Sequence, residues 1–146
     1  MNKKIFILIV VFVAVGVFVF LNFKQMRIVG NSMEPLLKNG QTIIVNKAIN
    51  NFKRGDIIVF DLDGKIYIKR IMGVPGDLVV SNGFLYINGE SVFNSTKERY
   101  SVNTGEDYII PEGKFFVLAD NVSSGMLDSR SFGYIEKEWI IGRVID

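Results

Sequence analysis

The sequence predicts a mainly β protein: an N-terminal transmembrane helix followed by a folded, barrel-like antiparallel β-sheet domain. Three observations carry this prediction. Ile5 to Leu21 contains no polar side chain. Beyond Asn22, short β-branched runs alternate with Gly, Asn and Asp signals, the pattern of strands joined by tight turns. Helical periodicity is absent there apart from a short turn at Met33 to Leu37.

The apolar stretch from Ile5 to Phe23 would span roughly 28 Å as a helix at ~1.5 Å per residue, close to the ~30 Å hydrocarbon layer of a bilayer. Lys3 and Lys4 precede it and favour a cytoplasmic N-terminus; Lys24 and Arg27 follow it and weaken that bias. A cleavable secretory leader also starts with lysines, but its apolar core is typically ~7–15 residues long. This run is longer and ends in Phe18-Val19-Phe20-Leu21-Asn22-Phe23, without a small-x-small exit. The division expected is a cytoplasmic stub and anchor over residues 1–23 and an extracytoplasmic β-rich domain over 24–146. The lipid bilayer is then one partner, in a single-pass arrangement that places Ser32 close to the membrane surface.

The strands follow in order. Thr42 to Val45, Asp56 to Phe60 and Lys65 to Met72 are the first three, with Asp63-Gly64 a hairpin signal between the last two. Val74-Pro75-Gly76-Asp77 reads as a turn, Pro fixing φ and Gly free to take a positive value. Leu78 to Val80, Phe84 to Ile87 and Glu90 to Phe93 form a meander around Asn82-Gly83 and Asn88-Gly89. Asn94 to Glu106 is polar and reads as a surface loop. Lys114 to Leu118 and Trp139 to Ile145 complete the set.

Composition excludes more than it suggests. The chain has 146 residues, a formal net charge of +2, and neither histidine nor cysteine. Thiol catalysis, disulfides, thiolate metal sites and every Ser-His or Cys-His pairing are ruled out. No acidic run has EF-hand spacing, and no basic, aromatic-rich stripe of the nucleic-acid-binding kind occurs. The expectation is therefore no metal, no cofactor and no nucleic-acid partner. Lysine or carboxylate chemistry remains.

Ser32, in Gly30-Asn31-Ser32-Met33-Glu34-Pro35, lies just past the anchor. Gly30 and Asn31 permit a tight turn that would expose the Ser32 N–H beside its own hydroxyl, an oxyanion donor next to a nucleophile. The plainer reading is a cap on the turn at Met33. Lys69 alters the balance. In the strand Ile66 to Met72 it shares a face with Tyr67 and Ile71, while Arg70 shares the other with Ile68 and Met72. Burial would disfavour its charged form, and a neutral amine can take a proton from serine. A strand lysine snorkelling to water is the competing reading. Arg54-Gly55-Asp56 simply turns the chain into the next strand, and Asp128 would pair with Arg130 or Arg70 to brace a loop beside Lys69.

The order and spacing of four blocks resemble bacterial-type signal peptidase I, a family of membrane-bound serine proteases. The blocks are Gly30 to Leu37, Arg54 to Phe60, Tyr67 to Asp77, and Asp120-Asn121 with Asp128-Ser129-Arg130 and Gly133. The resemblance implies Ser32 as nucleophile, Lys69 as general base, and an oxyanion hole around the Ser32 N–H, with Gly30 and Asn31 beside it. It implies that Ile28, Val29, Met33, Tyr67 and Ile68 line small apolar pockets for an extended peptide, and that Arg70, Asp128 and Arg130 form an ionic brace. The substrates implied are exported preproteins whose signal peptides carry small residues one and three positions before the cut. Ala119-Asp120-Asn121-Val122 stands where the family usually has Gly-Asp-Asn-Arg. Met126 stands where a serine orients the lysine amine, with Ser123 and Ser124 nearby. The alternative is a weak or inactive member acting as a peptide-binding chaperone or scaffold for a narrow set such as pilins. Retention of both Ser32 and Lys69 argues against it, since a binding module needs neither.

Overall fold

A computed structural model of the chain describes residues 2–81, 84–92, 107–121 and 127–145. The Asn82-Gly83 turn, Phe93, the 94–106 loop, and Val122, Ser123, Ser124 and Met126 lie outside the described residues.

Helix α1, Lys3–Asn22, is long and apolar enough to cross a membrane, and none of its residues is buried within the protein. It passes directly into strand β1, Phe23–Arg27, so that Phe23 already pairs with Asn46 rather than ending the helix. The junction is tied by the Phe23 N–H to the Val19 carbonyl and by the Lys47 N–H to the Asn22 carbonyl, the latter 2.7 Å long.

Beyond β1 come β2 (Thr42–Asn46), β3 (Ile57–Leu62), β4 (Lys65–Gly73), β5 (Leu78–Ser81), β6 (Leu85–Ile87) and β7 (Glu90–Ser91). Then follow β8 (Tyr108–Ile109), β9 (Lys114–Leu118), helix α2 (Ser129–Phe132), β10 (Ile135–Glu136) and β11 (Ile140–Ile145). Among the described residues, seven strands form one antiparallel sheet in the order β1-β2-β11-β3-β4-β9-β10, and four form a second in the order β7-β6-β5-β8. The predicted mainly β class holds. The large sheet stays open, with β1 and β10 at its edges. Trp139, expected in the last strand, instead belongs to a 3₁₀ turn over Lys137–Trp139.

Both faces of the large sheet are covered, so its central strands bury successive residues on opposite sides. Ile57 and Val59 join Ile28, Met33, Leu37, Ile43, Val45 and Val144 in one cluster; Ile58 and Phe60 join Ile71, Phe115, Val117 and Ile135 in another. The nucleophile-candidate loop and the lysine strand are thereby held to the same sheet. A third cluster packs Val79, Leu85 and Ile87 of the small sheet against Phe116 and Leu118. At the Asp63-Gly64 hairpin both turn residues take positive φ, 53° and 78°, the primed turn that matches strand twist. The Arg-Gly-Asp tripeptide is structural: Arg54 pairs with Asp77 at 2.7 Å and the Asp56 carboxylate accepts the Lys53 N–H at 2.9 Å.

Gly142 marks the tightest approach. It sits where the pairing of β11 with β3 shifts register, and a Cβ there would lie 2.5 Å from the Asn46 carbonyl oxygen on β2. Backbone on one side and a paired strand on the other leave little room to yield. Gly142→Ala should lower unfolding stability by about 1–3 kcal/mol, read from chemical denaturation in detergent; unchanged stability would show that β11 shifts freely.

Candidate active site

Two segments distant in sequence meet at one point. The first is the loop 28–32, which leaves β1 and turns at Gly30, where φ is 101°. Its main chain is held from two sides. On one side the Ile28 N–H donates to the Gln41 carbonyl at 2.8 Å, the Gly40 N–H donates to the Ile28 carbonyl at 2.9 Å, and the Gly30 N–H donates to Asn39 Oδ1 at 3.0 Å. On the other, the Asn121 N–H donates to the Ser32 carbonyl at 2.9 Å and Asn121 Nδ2 to the Asn31 carbonyl at 3.2 Å. Met33, immediately after, is 2 % exposed and plugs the loop into the core, and the Leu37 N–H closes a single turn on the Met33 carbonyl at 2.9 Å. The Ser32 N–H has no acceptor among the described residues.

The second segment is β4. Lys69 lies in register with Ile58 and its side chain is buried at 4 % exposure. Its Nζ donates to Ser32 Oγ at 3.0 Å and lies 5.9 Å from the centre of the Tyr67 ring. Burial pushes the amine below the ordinary lysine value of 10.5; Asp128 pulls it back up, Arg130 pushes it down, and Asp120 pulls it up. Burial is the largest of these effects and sets the net direction, and both carboxylates are engaged by arginines. Asp128, fully buried, accepts from Arg130 Nε and Nη2 at 2.8 Å each and from the Ala119 N–H at 3.0 Å. Asp120 accepts two bonds from Arg70, at 2.8 and 2.6 Å.

Of the two partners expected for Asp128, the structure gives it Arg130, while Arg70 reaches Asp120. The reason is register: Arg70 pairs across the sheet with Leu118, two residues before Asp120. Asp128 caps α2, and Ser129 Oγ accepts the Val117 N–H at 2.8 Å, so this short helix is fastened to β9 by side chain to backbone bonds.

A cleft of about 330 Å³ leads to the pair, walled by Met26, Arg27, Ile28, Val29 and Met33 on one side and Ile66, Tyr67 and Ile68 on the other. Ile28, Val29, Met33, Tyr67 and Ile68 therefore share one cleft with Ser32 and Lys69. Gly30 and Asn31 line an adjoining open hollow with Glu34 and Asn39. Met26, Ile66 and Asn39 were not singled out from sequence, and Asn121 only as a member of the last resembling block, without a role. The first two were recoverable as strand neighbours of named residues; the asparagines act through long-range bonds that no local pattern reveals. On the cleft side, β4 is paired with β9 only from Arg70 onward, which leaves an open edge along Lys65 to Lys69. A hydroxyl 3.0 Å from an amine whose charged form burial disfavours is an arrangement suited to nucleophilic attack with base assistance.

A family model described as signal peptidase, peptidase S26, matches residues 1–145. This chain belongs to that family. It is 37% identical to a signal peptidase I of Bacillus licheniformis, over 96% of this chain and 82% of that protein. It is 36% identical to signal peptidase I S of Bacillus subtilis, over 77% of this chain and 70% of the relative. A crystal structure of a signal peptidase I from Enterococcus faecalis is 30% identical, covers 65% of this chain and 97% of that one, and superposes with a TM-score of 0.49. As a member of the signal peptidase family, the protein is a serine endopeptidase that cleaves signal peptides from preproteins. The chaperone or scaffold alternative finds no support in these relatives.

The buried amine makes a stability prediction with a defined sign. Because the folded-state pKa of Lys69 is depressed, charging it opposes folding at pH values below that pKa. The penalty fades as pH rises toward the unfolded value and is gone above it. Lys69→Met should therefore be more stable than wild type near neutral pH, and the advantage should shrink as pH approaches 10.5. A constant difference from pH 6 to 11 would contradict a desolvated, titrating amine.

Proposed function

We propose that Ser32 is the nucleophile of this signal peptidase and Lys69 its general base. The observation that carries the assignment is the 3.0 Å contact between Ser32 Oγ and an amine whose charged form is disfavoured by burial. Neutral Lys69 takes the hydroxyl proton as Oγ attacks the scissile carbonyl carbon. The resulting oxyanion accepts from the Ser32 N–H, a donor with no partner among the described residues and held in place by bonds on either side of it. The Lys69 ammonium then gives the proton to the leaving amine, and the acyl-enzyme is released by water from which Lys69 again takes a proton.

The peptide would lie extended in the cleft, adding a strand between the 28–32 segment and the open edge of β4. The cleft would take small residues one and three positions before the cut against the apolar side chains of Ile28, Met33, Tyr67 and Ile68. Gly30 and Asn31 shape the rim of that space. Arg70, Asp128 and Arg130, with Asp120, brace the strand and loop behind Lys69. Helix α1 anchors the enzyme in the lipid bilayer as a single span; Lys3 and Lys4 hold its N-terminus in the cytoplasm and the sheet domain works on the extracytoplasmic face.

Ser32→Ala should abolish cleavage of a preprotein reporter in detergent, and Lys69→Arg should do the same, since a guanidinium does not deprotonate at working pH. Activity should rise with pH to a midpoint below 10.5 as Lys69 loses its proton. Cleavage surviving in the Ser32→Ala enzyme would rule out this nucleophile, and a rate flat from acid to alkaline pH would rule out this base.

A further inference from the structure

Val29 has an unusual main chain. It lines the cleft, its side chain is 93% exposed, and neither its N–H nor its carbonyl has a partner among the described residues. The residues on both sides of it are bonded, and to the same flank. Ile28 is doubly bonded to the 40–41 backbone, and the Gly30 N–H reaches Asn39 Oδ1 at 3.0 Å. That flank is itself braced: Arg27 Nε donates to the Gly40 carbonyl at 3.0 Å, Gln41 Oε1 accepts the Lys38 N–H at 2.9 Å, and the Gln41 N–H returns to the Lys38 carbonyl at 3.0 Å.

The Val29–Gly30 peptide is trans, so its N–H and its carbonyl point in opposite directions. Fixing the Gly30 N–H toward Asn39 turns the Val29 carbonyl away from Asn39, at a residue that lines the cleft. We propose that Asn39 is a positioning residue for substrate: by holding the Gly30 N–H it aims the Val29 carbonyl at a backbone N–H of the extended peptide. The inference rests on the proposed peptide-binding role of the cleft and names the side chain that prepares one of its main-chain contacts. Without the Asn39 acceptor, the Val29–Gly30 peptide plane is free to rotate next to Gly30, a residue with few conformational limits. The contact is made in ground state and transition state alike, so its loss appears in substrate affinity more than in turnover.

The test uses the full-length enzyme in detergent and a series of peptides cut after a small-x-small sequence. In the series, each amide N–H on the N-terminal side of the cut is replaced in turn by an ester oxygen. Asn39→Leu should raise KM about three- to ten-fold with kcat within about two-fold of wild type. Asn39→Asp, which keeps an acceptor oxygen at that place, should recover most of the lost affinity. One ester position should weaken wild-type binding by a similar factor and cost the Asn39→Leu enzyme nothing further. An unchanged KM in Asn39→Leu, or equal ester penalties in both enzymes, would overturn the proposal. Wild-type cleavage of the all-amide peptide, measured alongside, tests the peptidase reading separately.

Discussion

The structure depends on one lysine amine held largely out of water. Lys69 is 4 % exposed, and its Nζ finds a serine hydroxyl at 3.0 Å. A buried ammonium normally demands a carboxylate of its own. Two carboxylates act on Lys69 electrostatically, but each is engaged by an arginine: Asp128 by Arg130 and Asp120 by Arg70. Burial prevails over their pull, and the charged form of the amine is disfavoured. In the proposed dyad, a chain without histidine would obtain its base from a lysine whose neighbouring carboxylates are paired with arginines.

The same arrangement links the two halves of the site. Asp120 and Asn121 are adjacent, yet one holds Arg70 beside the lysine and the other holds the Asn31 and Ser32 carbonyls. Their position follows from β9, which pairs with β4 through Arg70 and Leu118 and delivers the next residues to the Ser32 loop. Burial of Met33 and Leu37 in the cluster beneath fixes that loop from below. The distance between Ser32 and Lys69 is therefore set by sheet register and core packing, not by the loop's own preferences.

Much of this was legible in the sequence. The hairpins at Asp63-Gly64 and Asn88-Gly89 take the positive φ values their residues permit, and each run that reads as a strand contains one, with Trp139 falling outside in the 3₁₀ turn. Strand β1 was missed because Phe23 and Met26, its half-buried residues, are three apart and break the alternation of a typical strand. Its membership is decided by pairing with β2. The two-residue strands β8 and β10 and the four-residue helix α2 are too short to carry any periodicity. At the site, chain order and residue type pointed to Ser32 and Lys69, whereas Arg70's partner and the work of Asn39 and Asn121 depend on which backbone groups meet across the fold. Asn121 and Asn31 are 90 residues apart in sequence. No spacing rule reaches that far.

The ionisation of Lys69 in the resting enzyme is the quantity on which all of this turns. A ¹⁵N-detected NMR titration of the lysine amines in detergent, with Lys69 assigned by its loss in the Lys69→Met protein, reads it directly and without substrate. A Lys69 midpoint displaced below 10.5 is the expected result. A Lys69 amine that stays protonated through that value would mean that the surrounding carboxylates hold the charge in place, and the serine would have no base.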